Sequence, residues 1–248
     1  MALKYSKDYE INYYDVDSNL KCKLSSLVNF FCDIGNAQTE YLGETIDDLL
    51  AKNVAWVFYK YDIKIYEYPK YRDKIKVQTI PAAFNKFYAY RRYSVFNEEG
   101  KLLAEGIALF FMIDINRRRP TRISHEHMKL YDAEDVNGLK IDMDDLMCIE
   151  SEDISKEFNV RYSDIDSNGH VNNVKYIEWA IESVPVDVVK EYQLERVKVI
   201  FEKETTYGNK VNVVSQILNQ DNNRIHTLHT IKDNNVEFTK LELIWGRD

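Results

Sequence analysis

The chain has 248 residues, 45% of them hydrophobic and 30% charged, a balance that excludes a disordered polypeptide and allows one large domain or two smaller ones. A net charge of -8 argues against nucleic-acid binding, which needs a surplus of Lys and Arg to neutralise phosphates. With 8 glycines and neither a GxGxxG nor a Walker sequence there is no loop to cradle a nucleotide phosphate. No run of 18 apolar residues and no signal-peptide pattern occur, so a cytoplasmic protein without membrane insertion is expected. Cys22, Cys32 and Cys148 are odd in number and lack C-x-x-C spacing, which excludes a disulfide framework or zinc knuckle and leaves the role of small buried hydrophobes.

In chain order, the first distinctive stretch is YYDVDSN at 13–19. It returns as YSDIDSN at 162–168, so Asp15, Asp17 and Asn19 recur as Asp164, Asp166 and Asn168, each 149 positions later. A repeat of this length implies two halves of similar build. After the first copy, SSLVNFFCDIGNAQTEYLG predicts a helix with Leu27, Phe31, Ile34, Gln38 and Tyr41 on one stripe, Ser25 or Ser26 as cap and Gly43 as left-handed stop. Strands VAWVFYKYDIKIYEYP and DKIKVQTI follow, then a hairpin from FYAYRRYSVFN through EEG to KLLAEGIALFFMIDI.

Residues 116–157 read as a partly helical surface connector, with nine carboxylates against one lysine between Asp132 and Asp153. His125-Glu126-His127 within it has i, i+2 spacing and no third ligand, so it reads as solvated connector. In the second half, NVKYIEWAIESVP predicts a helix with Tyr176, Ile177, Ala180, Ile181 and Val184 inward, Asn172 or Asn173 as cap and Pro185 as stop. Strands LERVKVIFEKET, NKVNVVSQIL and RIHTLHTIKD-NN-VEFTKLELIWG complete it. Twice over, the order is that of one long helix wrapped by a curled antiparallel sheet, an α+β tandem hot-dog fold. The halves are 1–115 and 158–248, each able to cover the open sheet edge of the other.

YSDIDSNGHVNN at 162–173 also opens like a calcium loop, D-x-D-x-N-G. The twelfth position is Lys175 where a bidentate Glu is needed, and the preceding FNVRYS alternates like a strand rather than a helix. Asp166, Asn168 and His170 at alternate positions project to one side of an extended segment just before a helix N-terminus, which suits stabilising an oxyanion in acyl transfer. Asx turns and a helix cap would need the same Asp and Asn. The first copy keeps Asp17 and Asn19 but has Leu20 and Lys21 in place of Gly169 and His170, so chemistry is expected from the second copy alone.

The run YSDIDSNGHVNNVKYIEWAIES resembles the signature of the acyl-acyl carrier protein thioesterases, D-x-D-x-N-x-H-V-N-N-x-x-Y followed by Trp and Glu-Ser. It matches at Asp164, Asp166, Asn168, His170, Val171, Asn172, Asn173, Tyr176, Trp179, Glu182 and Ser183, with supporting matches at Trp56, YPKYRDKIKVQT and Arg117–Ile123. The resemblance implies hydrolysis of fatty acyl thioesters on the phosphopantetheine arm of acyl carrier protein. It makes Asp166, Asn168, His170 and Glu204 catalytic and assigns chain-length selection to the N-terminal half; the helix amides near Asn173 would add an oxyanion contact. In many plant members a cysteine follows the glutamate; here it is Thr205, which disfavours a Cys-His mechanism and favours water activation by Glu204 or direct attack by Asp166. No cofactor or metal is implied, and a homodimer is left open. Carrier docking is expected at Arg117–Arg119 with Arg122, or at Arg91 with Arg92. Phe30, Phe31, Trp56, Phe58 and Phe110 are candidate pocket aromatics. The rival functions are an acyl-CoA thioesterase and a non-catalytic acyl-thioester-binding module.

Overall fold

The computed structural model describes residues 3–133, 136, 138, 139, 141–219 and 223–247. Two compact units are present: Met1–Tyr59 with Ile65–Met143, and Lys60–Lys64 with Asp144–Asp248. In the first, β1 (Tyr5–Glu10) leads through a 3-10 turn to α1 (Leu24–Tyr41) and α2 (Ile46–Ala51). Then come β2 (Val54–Ile65), β3 (Lys74–Phe84), β4 (Tyr88–Phe96), β5 (Leu102–Asp114), β6 (Arg119–Pro120) and α3 (His125–Leu130). The strand order is β1-β3-β4-β5-β2, with β6 paired to β5. The second unit repeats the plan with β7 (Ile154–Asn159), α4 (Asn173–Ser183), α5 (Val186–Glu191), β8 (Gln193–Phe201), β9 (Lys210–Asn219), β10 (Arg224–Asp233) and β11 (Val236–Gly246). Its order is β8-β11-β10-β9-β7, and residues 60–64 pair antiparallel with β8.

The helices form where apolar residues recur every three or four positions. Leu24, Leu27, Val28, Phe31 and Ile34 of α1 are buried, and Gly43 ends it at φ +84. Two expectations are corrected. The helix starts at Leu24, before either serine, because the Lys23 amide donates to the Asp15 carbonyl at 2.8 Å and sets the first turn from outside. Tyr41 is 71% exposed; its ring lies 5.4 Å from that of Tyr5 at the unit's surface, where a phenol keeps its polar tip wet. In α4, Asn172 is the cap and accepts from the Val174 amide at 3.0 Å. That helix ends before Pro185, which opens α5.

A buried polar chain fixes α4 to its sheet. Ser183 Oγ, donating to the Ala180 carbonyl, sits 2.8 Å from Ser215 Oγ, which is 2.8 Å from His229 Nδ1. His229 Nε2 meets Thr227 Oγ1 at 2.8 Å, and Trp245 Nε1 donates to that hydroxyl at 3.1 Å. Every one of these buried groups is satisfied, which rigidifies the helix that carries the site loop.

The stretch read as connector holds β6, α3 and the start of β7. His127 is buried rather than solvated, because α3 turns that face inward: its ring lies edge-on 6.3 Å from Trp56 and its Nε2 is 3.3 Å from Glu44. Of the cysteines only Cys22 is buried; Cys32 is half-buried and Cys148 exposed. Cys148 lies between Met147 and Glu150, whose amides donate to the Glu242 and Gln216 side chains and so tie its segment down while leaving its own side chain outward.

Candidate active site

Both copies of the repeat build the same loop. In the second, the Asp166 amide donates to the His170 carbonyl at 2.8 Å, the Gly169 amide to the Asp166 carbonyl at 3.1 Å, and the Asn172 amide to the Asp164 carbonyl at 2.8 Å. The first copy makes the identical bonds from Asp17 to Lys21 (2.8 Å), Leu20 to Asp17 (3.1 Å) and Lys23 to Asp15 (2.8 Å). Asp166 Oδ1 accepts from the amides of Asn168 (2.8 Å) and His170 (3.3 Å), as Asp17 Oδ1 accepts from Asn19 (2.8 Å) and Lys21 (3.0 Å). These are Asx turns, and they shape the loop in either copy.

Asp164 anchors the loop from below. It is fully buried and takes the Arg161 side chain at 3.2 and 2.8 Å and the Arg161 amide at 2.8 Å. Burial alone would raise its carboxyl, but these bonds hold it below the usual carboxylate range. Both of its oxygens are thus occupied by a guanidinium, and Lys175 Nζ bonds Glu178 at 2.7 Å, neither of which suits a calcium cage. Among the described residues no cluster of three or more metal-ligating side chains occurs.

The loop brings His170 to Glu204, with Nε2 3.2 Å from Oε2; both side chains are partly exposed. Glu204 follows β8, and the segment is held there by the Val171 amide donating to the Thr205 carbonyl at 2.9 Å. Asn168 is exposed and its Nδ2 donates to Asp166 Oδ2 at 3.3 Å. Asn173 opens α4; the next two amides are taken by the Asn172 side chain and carbonyl, while the Asn173 amide has no partner among the described residues. Thr205, where a cysteine would follow the glutamate, is buried and its hydroxyl accepts from Asn209 Nδ2 at 3.1 Å.

In the first copy the bond equivalent to Val171–Thr205 runs from the Cys22 amide to the Pro69 carbonyl at 2.7 Å. Tyr68 therefore occupies the place of Glu204, and Lys21 that of His170. The sequence reading missed this counterpart of Glu204, although the spacing of 136 positions from Lys74, which opens β3, to Lys210, which opens β9, would have located it.

The first unit contains a cavity of about 140 Å³ lined by Trp56, Phe58, Phe84, Tyr90, Phe110 and Tyr131, among others. Phe31 is instead stacked on Tyr93 in the core, and Phe30 lies against Tyr9. Arg91 also faces the cavity, its guanidinium donating to Gln38 and, at 3.1 Å, to Thr79, so it is not a free surface charge; Arg92 and Arg117, Arg118, Arg119 and Arg122 are exposed.

The profile of the acyl-ACP thioesterase N-terminal domain matches residues 2–131, and that of the acyl-ACP thioesterase C-terminal domain matches residues 149–247. The chain belongs to the acyl-ACP thioesterase family. It is 26% identical over 221 residues to a palmitoyl-acyl carrier protein thioesterase of Gossypium hirsutum, covering 82% of this chain and 52% of that protein. It is also 22% identical over 226 residues to an oleoyl-acyl carrier protein thioesterase of Arabidopsis thaliana, covering 82% and 61%. The chain thus spans about half the length of the first of these curated relatives. A crystal structure of a Lactobacillus plantarum protein assigned as an oleoyl thioesterase is 27% identical and superposes with a TM-score of 0.94 over 99% of this chain and 97% of that one. The 12:0-ACP thioesterase of Umbellularia californica, 16% identical, shares the fold at a TM-score of 0.86 over 99% and 94%. The architecture is the double hot-dog of this thioesterase family. No helix among the described residues is long and apolar enough to cross a membrane.

Proposed function

We propose that this chain hydrolyses fatty acyl thioesters carried on the phosphopantetheine arm of acyl carrier protein, releasing the free fatty acid and ending chain elongation. The observation that carries this reading is the His170–Glu204 contact of 3.2 Å beside the N-terminus of α4, a pair that the otherwise equivalent first loop lacks. In this reading Glu204 takes a proton from water, whose oxygen attacks the thioester carbonyl. His170, Asn168 and the Asn173 amide donate toward the carbonyl oxygen as it becomes an oxyanion. Collapse of the tetrahedral species breaks the carbon–sulfur bond, and the proton held by Glu204 passes to the departing thiolate. Asp166, whose oxygens already accept from three donors of its own loop, organises the site rather than attacks.

The cavity of the first unit would take part of the acyl chain, since its lining is largely aromatic. The exposed arginines at 117–119 and 122 are the surface for an acidic carrier; KM should then rise steeply with ionic strength.

The deciding experiment offers carrier-bound acyl chains of graded length, and the same chains on coenzyme A, and reads free fatty acid. Higher kcat/KM on the carrier supports the proposal. Preference for coenzyme A reassigns the substrate, and saturable binding without release rejects hydrolysis. A single turnover in oxygen-18 water should place label in the acid; label in Asp166 would assign the attack to that carboxylate.

A further inference from the structure

The cavity of the first unit has Trp56, Phe58, Phe84 and Phe110 in its wall, yet it also carries the guanidinium of Arg91. One side of that guanidinium is held in place, since Nη1 donates to Gln38 Oε1 and, at 3.1 Å, to Thr79 Oγ1. Gln38 is fully buried and is itself fixed, its Nε2 donating to the Leu3 carbonyl at 2.8 Å. The guanidinium also lies over the Tyr131 ring, with Cζ 5.4 Å from the centroid, and the Tyr131 hydroxyl is 2.8 Å from Thr39 Oγ1. All of these partners are neutral, and no carboxylate lies within ion-pair distance of Arg91 among the described residues.

The fold does not require a cation at this position. Arg91 stands opposite Pro81 in the β3–β4 pair, and 136 positions later Thr227 stands opposite Ile217 in the β9–β10 pair. Thr227 is fully buried, and its hydroxyl meets His229 and Trp245. The same strand position thus holds a small neutral residue in the second unit and a permanent charge in the first. A hydrocarbon chain entering the cavity would displace water from that charge and offer it no hydrogen bond. A carboxylate offsets the loss, because it can accept two parallel charge-assisted bonds from a guanidinium.

We propose that the cavity accepts acyl chains whose far end carries a carboxylate, with Arg91 as the residue that pairs it, so that half-thioesters of dicarboxylic acids belong to the substrate class. This rests on the reading above that the cavity takes the acyl chain.

The test compares carrier-bound chains of matched length that end in a methyl group or in a carboxylate, over a ladder of lengths. Both are assayed on one enzyme preparation, so the ratio of their kcat/KM values does not depend on how much of a variant is folded. At one length or more, the wild type should cleave the carboxylate-ended chain at least as efficiently as its methyl-ended twin. Arg91→Met should lower that ratio at least about thirtyfold, and Arg91→Lys, which keeps the charge and loses the fork, should lower it less. A wild type that prefers the methyl-ended chain at every length overturns the proposal, and so does a ratio that Arg91→Met leaves unchanged. Failure of the underlying reading is separable. A wild type that releases neither acid rejects thioester hydrolysis, and calorimetry with the free dicarboxylic acid then judges the cavity by itself. Binding that Arg91→Met abolishes upholds the carboxylate site; binding that is absent, or indifferent to the substitution, overturns it.

Discussion

The loop that follows β1 and the loop that follows β7 close with the same three backbone hydrogen bonds at 2.8, 3.1 and 2.8 Å, yet they present different side chains. In the first, Lys21 and Tyr68 take the places held by His170 and Glu204 in the second. The Asp-x-Asn pair is common to both, and its aspartate shapes the turn in each. What differs is confined to residues that leave the turn's geometry untouched, so side chains at these positions can change in one half of a duplicated fold without loss of its shape. A motif match therefore locates a loop here, and the contrast between copies separates the candidate reacting groups from the residues that shape the turn.

The strongest attempt to break this contrast is His170→Ala or Glu204→Ala. Each should lower turnover at least about a hundredfold, the usual scale for losing an acid or base, with an unchanged circular dichroism spectrum. Near-normal rates in both would sink the assignment.

Acid should also tell the halves apart. The strand pair that sets Ser215 opposite His229 in the second unit sets Thr79 opposite Tyr93 in the first. Burial pushes His229 down to about 3 from 6.5. The unfolded imidazole binds a proton near 6.5 and the folded one only near 3, so stability is lost as pH falls through that window. Glu242 adds a second loss lower down: despite burial, bonds from His226, the Met147 amide and Lys198 hold it at about 2 against an ordinary 4.5, so its contribution disappears as pH falls from about 4.5 to 2. Thermal midpoints taken from pH 7 to 4 should decline, and His229→Gln should flatten the decline.

A smaller effect is expected from Asp17→Asn and Asp166→Asn. Each weakens two amide bonds to Oδ1 and should cost about 1 kcal/mol, seen as a Tm lower by a few degrees. Only Asp166→Asn should also reduce turnover. Leu20 adopts φ +59 where the second loop uses Gly169 at φ +79, so Leu20→Gly should stabilise by about 1 kcal/mol without altering rate. Asn19→Ala should leave turnover unchanged, and a large loss there would mean that the first copy takes part in the reaction.

Much of this was legible beforehand. The repeat at a fixed offset, the alternating strands and the spacing of Leu27, Phe31 and Ile34 all follow from local patterns with one period each, and the double hot-dog follows from their order. Asp166, Asn168 and His170 could be grouped as candidates because they stand at alternate positions of one short stretch. Their contact with Glu204, some 34 positions away, came only from the family resemblance, since no local pattern encodes which residue after β8 faces the loop. Other features were hidden for the same reason. The inward turn of His127 depends on which side of α3 meets Trp56, and the start of α1 depends on the Asp15 carbonyl rather than on either serine. The bond from Arg91 to Gln38 joins a strand to a helix 53 positions earlier, where a sequence pattern shows only an arginine pair.

The hydrogen-bonded chain from Ser183 to Trp245 has a practical corollary. Because Thr227 receives both the indole N–H of Trp245 and Nε2 of His229, a proton arriving on that imidazole perturbs a fluorophore one hydroxyl away. Of the three tryptophans, Trp56 is the one outside the second unit, so Trp56→Phe would leave a tryptophan emission spectrum that watches the second unit alone.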